Sequence, residues 1–193
     1  MREKTCPICE IKFTPLRQIQ KVCSAPCAIK HATALRDKAR AKAEKIAERE
    51  DRKVIRFRKE ALKTRSDYLK EAQTVFNAYI RERDKHQPCI CCGMPLNQDA
   101  VGGGYDCGHY RSVGSAPHLR FTETNANGQT KKCNRYGAGR AVDYRIGLIK
   151  RIGLEAVESL EADNEPRKWT IEDLKQIKET YKAKLKELKC SAK

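Results

Sequence analysis

Ten cysteines and four histidines carry most of the chemistry open to this 193-residue chain, and they are unevenly spread. The densest stretch opens with a CxxC pair, Cys89 and Cys92, and passes a glycine-rich turn at Gly102 to Gly104. It then reaches Asp106-Cys107-Gly108-His109-Tyr110 and closes with Asn125, Cys133 and Asn134. His109 is the candidate general base, because an imidazole with an ordinary pKa of about 6.5 accepts a proton from water at neutral pH. Asn125 is placed to orient that imidazole or its loop. Asp106 and Asn134 offer the hard oxygen ligands that Mg²⁺ prefers, and Mn²⁺ would serve alike. Such an ion would stabilise charge on phosphoryl and leaving oxygens. The chemistry implied is hydrolysis of a phosphodiester.

The order of these parts suggests a ββα-metal (HNH-like) module, in which a zinc-knotted frame presents a histidine on a hairpin and a metal ligand on the following helix. Structural zinc would be held by Cys89, Cys92 and Cys133. In the common HNH signature a metal ligand directly precedes the base, whereas here that slot is Gly108. Asp106 must therefore reach from three residues upstream, and Asn127 is a second polar candidate near the metal. The glycine run is not a phosphate cradle, since no Gly-Lys-Ser/Thr follows it. His118, beside Pro117 and without partner ligands, reads as a loop histidine. Arg111, Arg120, Lys131, Lys132, Arg135 and Arg140 surround the module as candidate phosphate contacts, which position DNA without reading its sequence.

Upstream, Cys6, Cys9, Cys23 and Cys27 form two close pairs. Four thiolates fill a tetrahedral Zn²⁺ site and fold a segment too short to build a core. A closed four-sulfur site leaves no position for substrate, so it is a scaffold, displaying Lys4, Lys12, Arg17 and Lys21.

Composition limits the rest. With 39% hydrophobic, 34% charged and 6% aromatic residues, the chain is poor in core. A net charge of +16 calls for a polyanion, with nucleic acid the first choice. An anionic membrane is disfavoured, because no broad apolar face accompanies the basic residues. No run of eighteen apolar residues and no apolar leader is present, so the expectation is a soluble protein of the (host) cytoplasm. In a reducing compartment CxxC spacing means metal more often than disulfide. A thiol-redox role fails to explain the charge, and no βαβ pattern surrounds Cys89.

These groups need positioning elements. Four regions are expected: 1–27, the cysteine cluster; 28–63, a long basic helix; 64–140, the ββα-metal module with its packing helix; and 141–193, a helical region. The fold class is thus mainly α with one small α+β module. The segment from Ala28 to Leu62 lacks Gly and Pro and its apolar positions are too sparse for a heptad seam, which predicts a solvated helix. A DNA-spanning arm and a charged spacer or weak coil remain equal readings of it. A second helix, capped by Ser66 and running to Lys85, carries Leu69, Ala72, Phe76, Tyr79 and Ile80 on one face. After an amphipathic stretch from Tyr144 to Leu160 and a turn at Asp163 to Pro166, Thr170 opens a final helix with Trp169, Leu174, Ile177, Tyr181, Leu185 and Leu188 as its stripe. Either long helix is a candidate homodimer interface.

At the level of whole motifs the chain resembles the phage lambda NinG, or Rap, recombination endonucleases. The resemblance rests on the amino-terminal cysteine set, Ile80-Arg81-Glu82-Arg83-Asp84, Pro88-Cys89-Ile90-Cys91-Cys92-Gly93, Asp106 with Gly108-His109-Tyr110-Arg111, and Leu119-Arg120-Phe121. Cys133-Asn134, Tyr144-Arg145, Arg151-Ile152-Gly153 and Trp169-Thr170-Ile171-Glu172 extend it nearly end to end. It implies a structure-selective endonuclease that cuts branched recombination intermediates, such as Holliday junctions and D-loops, with a divalent metal. A non-catalytic, zinc-stabilised accessory that binds branched DNA is the alternative. The family pattern has a second CxxC ending where Cys133 stands, yet the residue three earlier is Thr130. Three outcomes stay open: Cys107 moves in as fourth ligand, three cysteines hold zinc with a water, or the knot is packed without metal.

Overall fold

The structure, a computed structural model, describes residues 2–97 and 103–191; of the glycine run, Gly102 lies outside them. The chain divides into two compact units, Met1–Leu62 and Lys63–Lys193.

In the first unit β1 (Lys4–Thr5) pairs antiparallel with β2 (Lys12–Phe13), and the connection between them carries Cys6 and Cys9. The long helix α1 (Ala25–Ala61) follows Ser24 and so starts three residues before Ala28. Pro26 lies in its first turn, where a missing N–H costs nothing because that donor has no partner within a helix. Of the α1 residues only Cys27 is buried. With 37 residues it spans about 55 Å. Exposed pairs such as Arg40–Glu44 and Glu48–Arg52 support it by a few tenths of a kcal/mol each.

The second unit is built on α2 (Arg65–Arg83) and α5 (Ile171–Ser191), which share one core. Thr64, rather than Ser66, caps α2. Its hydroxyl accepts from the Asp67 amide while Asp67 accepts from the Thr64 amide, a reciprocal box that Ser66 has no acidic partner to form. Thr170 and Asp173 repeat the box ahead of α5. Tyr68, Ala72, Phe76, Tyr79 and Ile80 meet Leu174, Tyr181, Phe121 and Trp169, with Phe76 edge-on to Tyr181 at 4.8 Å. The stretches 64–140 and 141–193 therefore fold around common apolar contacts.

Between α2 and the later helices lies a hairpin. Strand β3 (Tyr105–His109) pairs antiparallel with β4 (Ala126–Thr130), Tyr105 opposite Thr130 and His109 opposite Ala126. Side chains alternate along a strand, so Tyr105, Cys107 and His109 face one way and Asp106 and Gly108 the other. The first face looks toward α2, where the Tyr105 hydroxyl donates to the Arg81 carbonyl. On the second face α3 (Ala141–Ile152) sends the Tyr144 hydroxyl to the Gly108 carbonyl. Gly153, at φ +88°, turns the chain from α3 into α4 (Leu154–Ala162). Tyr144, Leu148, Val157 and Leu160 close a second core over Ile90 and Leu119. A side chain at Gly147 would collide with the Ile90 carbonyl, so only glycine lets α3 approach the cysteine knuckle this closely. Among the described residues the architecture is mainly helical, with two small two-stranded sheets.

Candidate active site and cysteine clusters

His109 ends β3 and lines a cleft of about 720 Å³ together with Cys107, Tyr110, Arg111, Asn134 and Glu161. Its Nε2 lies 3.1 Å from the Arg120 carbonyl. A carbonyl can only accept, so Nε2 carries the proton in the neutral ring and Nδ1 is the basic nitrogen. Burial lowers the His109 pKa below 6.5, the Arg120 carbonyl working against the shift. Desolvation disfavours the imidazolium, which keeps Nδ1 unprotonated at neutral pH.

Asn125 is fully buried, and its side-chain hydrogen bonds go to backbone rather than to the imidazole. Its Oδ1 accepts from the Arg111 amide at 2.8 Å while Nδ2 donates to the Arg111 and Leu119 carbonyls at 3.0 and 3.2 Å. It therefore fixes the loop after His109, one of the two roles its position suggested. Asn127 faces the other way, donating to the Tyr144 hydroxyl and accepting from Arg151, so it belongs to the packing of α3.

Asn134 stands in a π-helical turn, Lys132–Tyr136, directly after β4, and donates to Asp106 at 3.2 Å. Asp106 also receives Arg135 through two hydrogen bonds of 2.8 and 3.0 Å. Burial alone would raise the Asp106 pKa, but Arg135 and Asn134 hold it below the usual carboxylate range. His109 and Asn134 thus share the cleft, whereas Asp106 reaches it only through Asn134, because strand alternation turns its carboxylate to the other face. Asp106 and Asn134 fit a Mg²⁺ ion in donor type, as that ion takes one or two carboxylates and keeps waters or substrate phosphates for the rest. Arg135 must first release Asp106, and at 58% side-chain exposure it has room to do so.

The expected phosphate contacts divide. Arg111 is a correction: its guanidinium donates to the Leu160, Glu161 and Asp163 carbonyls and to Asn164, closing the end of α4, and is spent on protein. Arg120 reaches Gln73 at 3.2 Å. Lys132, Arg135 and Arg140 are exposed on the turn after β4. Two residues were missed. Tyr136 is 85% exposed on this turn, while every other described aromatic of the second unit is buried or partly buried. Glu161 lines the cleft, accepts from the Tyr110 hydroxyl and pairs with Arg145, and that Arg145 bond chiefly lowers its pKa to about 2. Isolated at sequence level, Glu161 carries no motif; only the turn of α4 brings it to the cleft.

Both cysteine sets assemble. Cys6, Cys9, Cys23 and Cys27 lie with their sulfurs all within 4.8 Å of one another, Cys9–Cys23 at 3.4 Å and Cys23–Cys27 at 3.7 Å. Tetrahedral zinc with bonds of about 2.3 Å sets sulfur pairs about 3.8 Å apart, so the set fits the ion. The beginning of α1 adds its positive end to these thiols. Cys89, Cys92 and Cys133 form the second set. Cys107 is not part of it: its strand position turns it to the α2 side, where it packs against the apolar core, and burial pushes its pKa up to about 12.

Fold and clusters together define a small, mainly helical protein with two thiol sets able to hold zinc and a histidine-bearing cleft between hairpin and helices. The chain belongs to the NinG family: the family model described as Bacteriophage Lambda NinG protein matches residues 1–191. It is 43% identical over 190 residues to Protein ninG of Escherichia phage lambda and equally to that of Salmonella phage P22, covering 95% of this chain and 91% of each relative. Protein ninG of Enterobacteria phage H19B is 42% identical over 195 residues, 97% of this chain and 94% of the relative. No solved structure matches. Among the described residues no helix is long and apolar enough to cross a membrane.

Proposed function

We propose that this protein is a structure-selective DNA endonuclease that hydrolyses a phosphodiester at branched recombination intermediates, using a ββα-metal (HNH-like) centre formed by β3, β4 and the turn after them. One observation carries the reading. The Arg120 carbonyl fixes the His109 tautomer, so that a neutral imidazole offers Nδ1 as base at the wall of a cleft it shares with Asn134. Nδ1 takes the proton of a water, the freed hydroxide attacks phosphorus, and the opposite P–O ester bond breaks, its oxygen leaving with the bonding pair and taking a proton from solvent. Asn125 holds the loop that carries the Arg120 carbonyl against the ring. A Mg²⁺ or Mn²⁺ ion on Asp106 and Asn134 would supply charge stabilisation at the phosphoryl group. Lys132, Arg135 and Arg140 supply positive charge beside the cleft, and Tyr136 offers a face for an unstacked base at a branch point.

The pairing of Asp106 with Arg135 favours a second reading, a non-catalytic branched-DNA-binding accessory, because a carboxylate already neutralised by arginine is a poor metal ligand. A labelled four-way junction incubated with protein and Mg²⁺ or Mn²⁺ separates the two. Cleavage products that vanish in His109→Ala, with retardation preserved, support the nuclease. Retarded but uncut DNA from the parent chain supports the accessory.

A further inference from the structure

The second cysteine set has three thiols, and Thr130 stands beside them. Its Oγ1 lies 3.7 Å from the Cys89 sulfur and 4.0 Å from the Cys92 sulfur, and it accepts from the Cys133 amide at 3.4 Å. A tetrahedron with zinc–sulfur bonds of about 2.3 Å and a zinc–oxygen bond of about 2.1 Å has sulfur–oxygen edges of about 3.6 Å. The edges to Cys89 and Cys92 thus come within about 0.4 Å of those of a fourth vertex, and the contact to the Cys133 amide holds the hydroxyl beside the third ligand. We propose that zinc is held here by Cys89, Cys92 and Cys133 with an oxygen at the fourth corner set by Thr130, and that this is the exchangeable metal of the two.

Two other cysteines are chemical candidates for the fourth corner, and the geometry assigns them elsewhere. Cys107 is packed toward α2. Cys91 is not among the mutually close sulfurs of the set; its sulfur accepts from the buried Gln129 amide at 2.8 Å and faces the Gly139 carbonyl at 3.7 Å. Bringing it to zinc would break the first contact and leave the Gln129 side chain, 1% exposed, with one fewer partner.

Lability follows from ligand chemistry. A neutral hydroxyl, or a water it holds, is a weaker donor than a thiolate and can leave while all three zinc–sulfur bonds remain. Cys92 is exposed, so an incoming ligand can reach that corner. The amino-terminal set also has an exposed member, Cys9, but its four sulfurs include no weak ligand to release. The proposal does not depend on nuclease activity, since it concerns ligand exchange at a framework metal.

The test uses the full chain purified without chelator. Elemental analysis should give two zincs per chain. Challenge with a colorimetric zinc chelator should give two phases, one zinc lost fast and one slowly. Thr130→Cys should slow the fast phase by roughly tenfold to a hundredfold, the scale on which metal-site neighbours change affinity. Cys91→Ser should leave stoichiometry and both phases unchanged. One zinc per chain, two equally slow zincs in the parent, or loss of the second zinc in Cys91→Ser would each overturn the proposal. Should Thr130→Cys fail to fold, cobalt substitution of the parent decides, because sulfur-to-cobalt charge-transfer intensity grows with thiolate number. Intensity for seven thiolates over two sites supports the oxygen corner, and intensity for eight rejects it.

Discussion

The hairpin that presents His109 depends on one buried carboxylate outside it. Asp84, the residue after α2, is 3% exposed. It accepts from Arg83 at 2.7 and 3.0 Å, from the Gly128 amide of β4 at 2.7 Å, and from Arg151 of α3 at 3.4 Å. Asp84→Ala leaves two guanidinium groups without their shared anion and a buried strand amide without an acceptor. Removing one partner of a buried ion pair costs about 3–5 kcal/mol. Arg83 and Arg151 keep backbone carbonyls as alternative acceptors, at Ala126 and Pro88, which argues for the lower end, about 3 kcal/mol. For a unit of this size each kcal/mol shifts the midpoint by roughly 3–4 °C, giving a fall of about 10 °C. The assay is thermal unfolding followed by near-ultraviolet circular dichroism, with metal content measured in parallel so that zinc loss is not mistaken for the effect. Asp84→Asn, which keeps one acceptor oxygen for the Gly128 amide, should fall by about half as much. A midpoint for Asp84→Ala within about 3 °C of the parent would refute the idea that this carboxylate ties α2, β4 and α3 together.

Three further outcomes are expected. The acid limb of the parent's cleavage rate should be centred below pH 6.5, because burial depresses the His109 pKa; a limb centred above pH 6.5 would contradict the assignment of this buried imidazole as the base. His109→Ala should lower the cleavage rate by about a hundredfold to ten-thousandfold with junction affinity unchanged in gel retardation. Arg135→Ala should lower the Mg²⁺ concentration for half-maximal cleavage by freeing Asp106, and an unchanged metal dependence would remove Asp106 from the ligand set.

Elements with a strong local signal were legible before any coordinates. The capping sequence at Thr170, the apolar stripe of α5 and the close cysteine pairs each follow from short-range spacing, which structure preserves. Ser66 was misplaced because two hydroxyl residues stand two apart, and only the acidic partner three residues on distinguishes Thr64. Arg111 was misjudged because nothing local tells an arginine that will cap a helix end fifty residues later from one that will face DNA. Cys107 has a ligand's chemistry but the wrong parity in its strand, and parity becomes readable only once the register with β4 is known. Tyr136 leaves no spacing signal at all. Its meaning comes from exposure on a turn where Ala138, Gly139 and Arg140 all take positive φ.

The hairpin is short, and its sequence alternates too weakly to be held by an apolar face. Of β4, Ala126 alone enters an apolar core, while Asn127 and Gln129 are 2% and 1% exposed. Directional polar struts do the work instead: Tyr105 to Arg81, Tyr144 to Gly108, Asp84 to Gly128, and Gln129 to the Gly139 carbonyl. Buried polar groups cost stability unless every partner is in place, and among the described residues no buried side-chain nitrogen or oxygen lacks one. Such a network tolerates few alternative arrangements, which would suit the proposed role of holding one imidazole in one tautomer. It also accounts for the thiol sets. A chain with 34% charged residues cannot supply enough apolar burial to fix small loops, and metal held by the thiol sets would anchor the segments that the two helical cores do not reach.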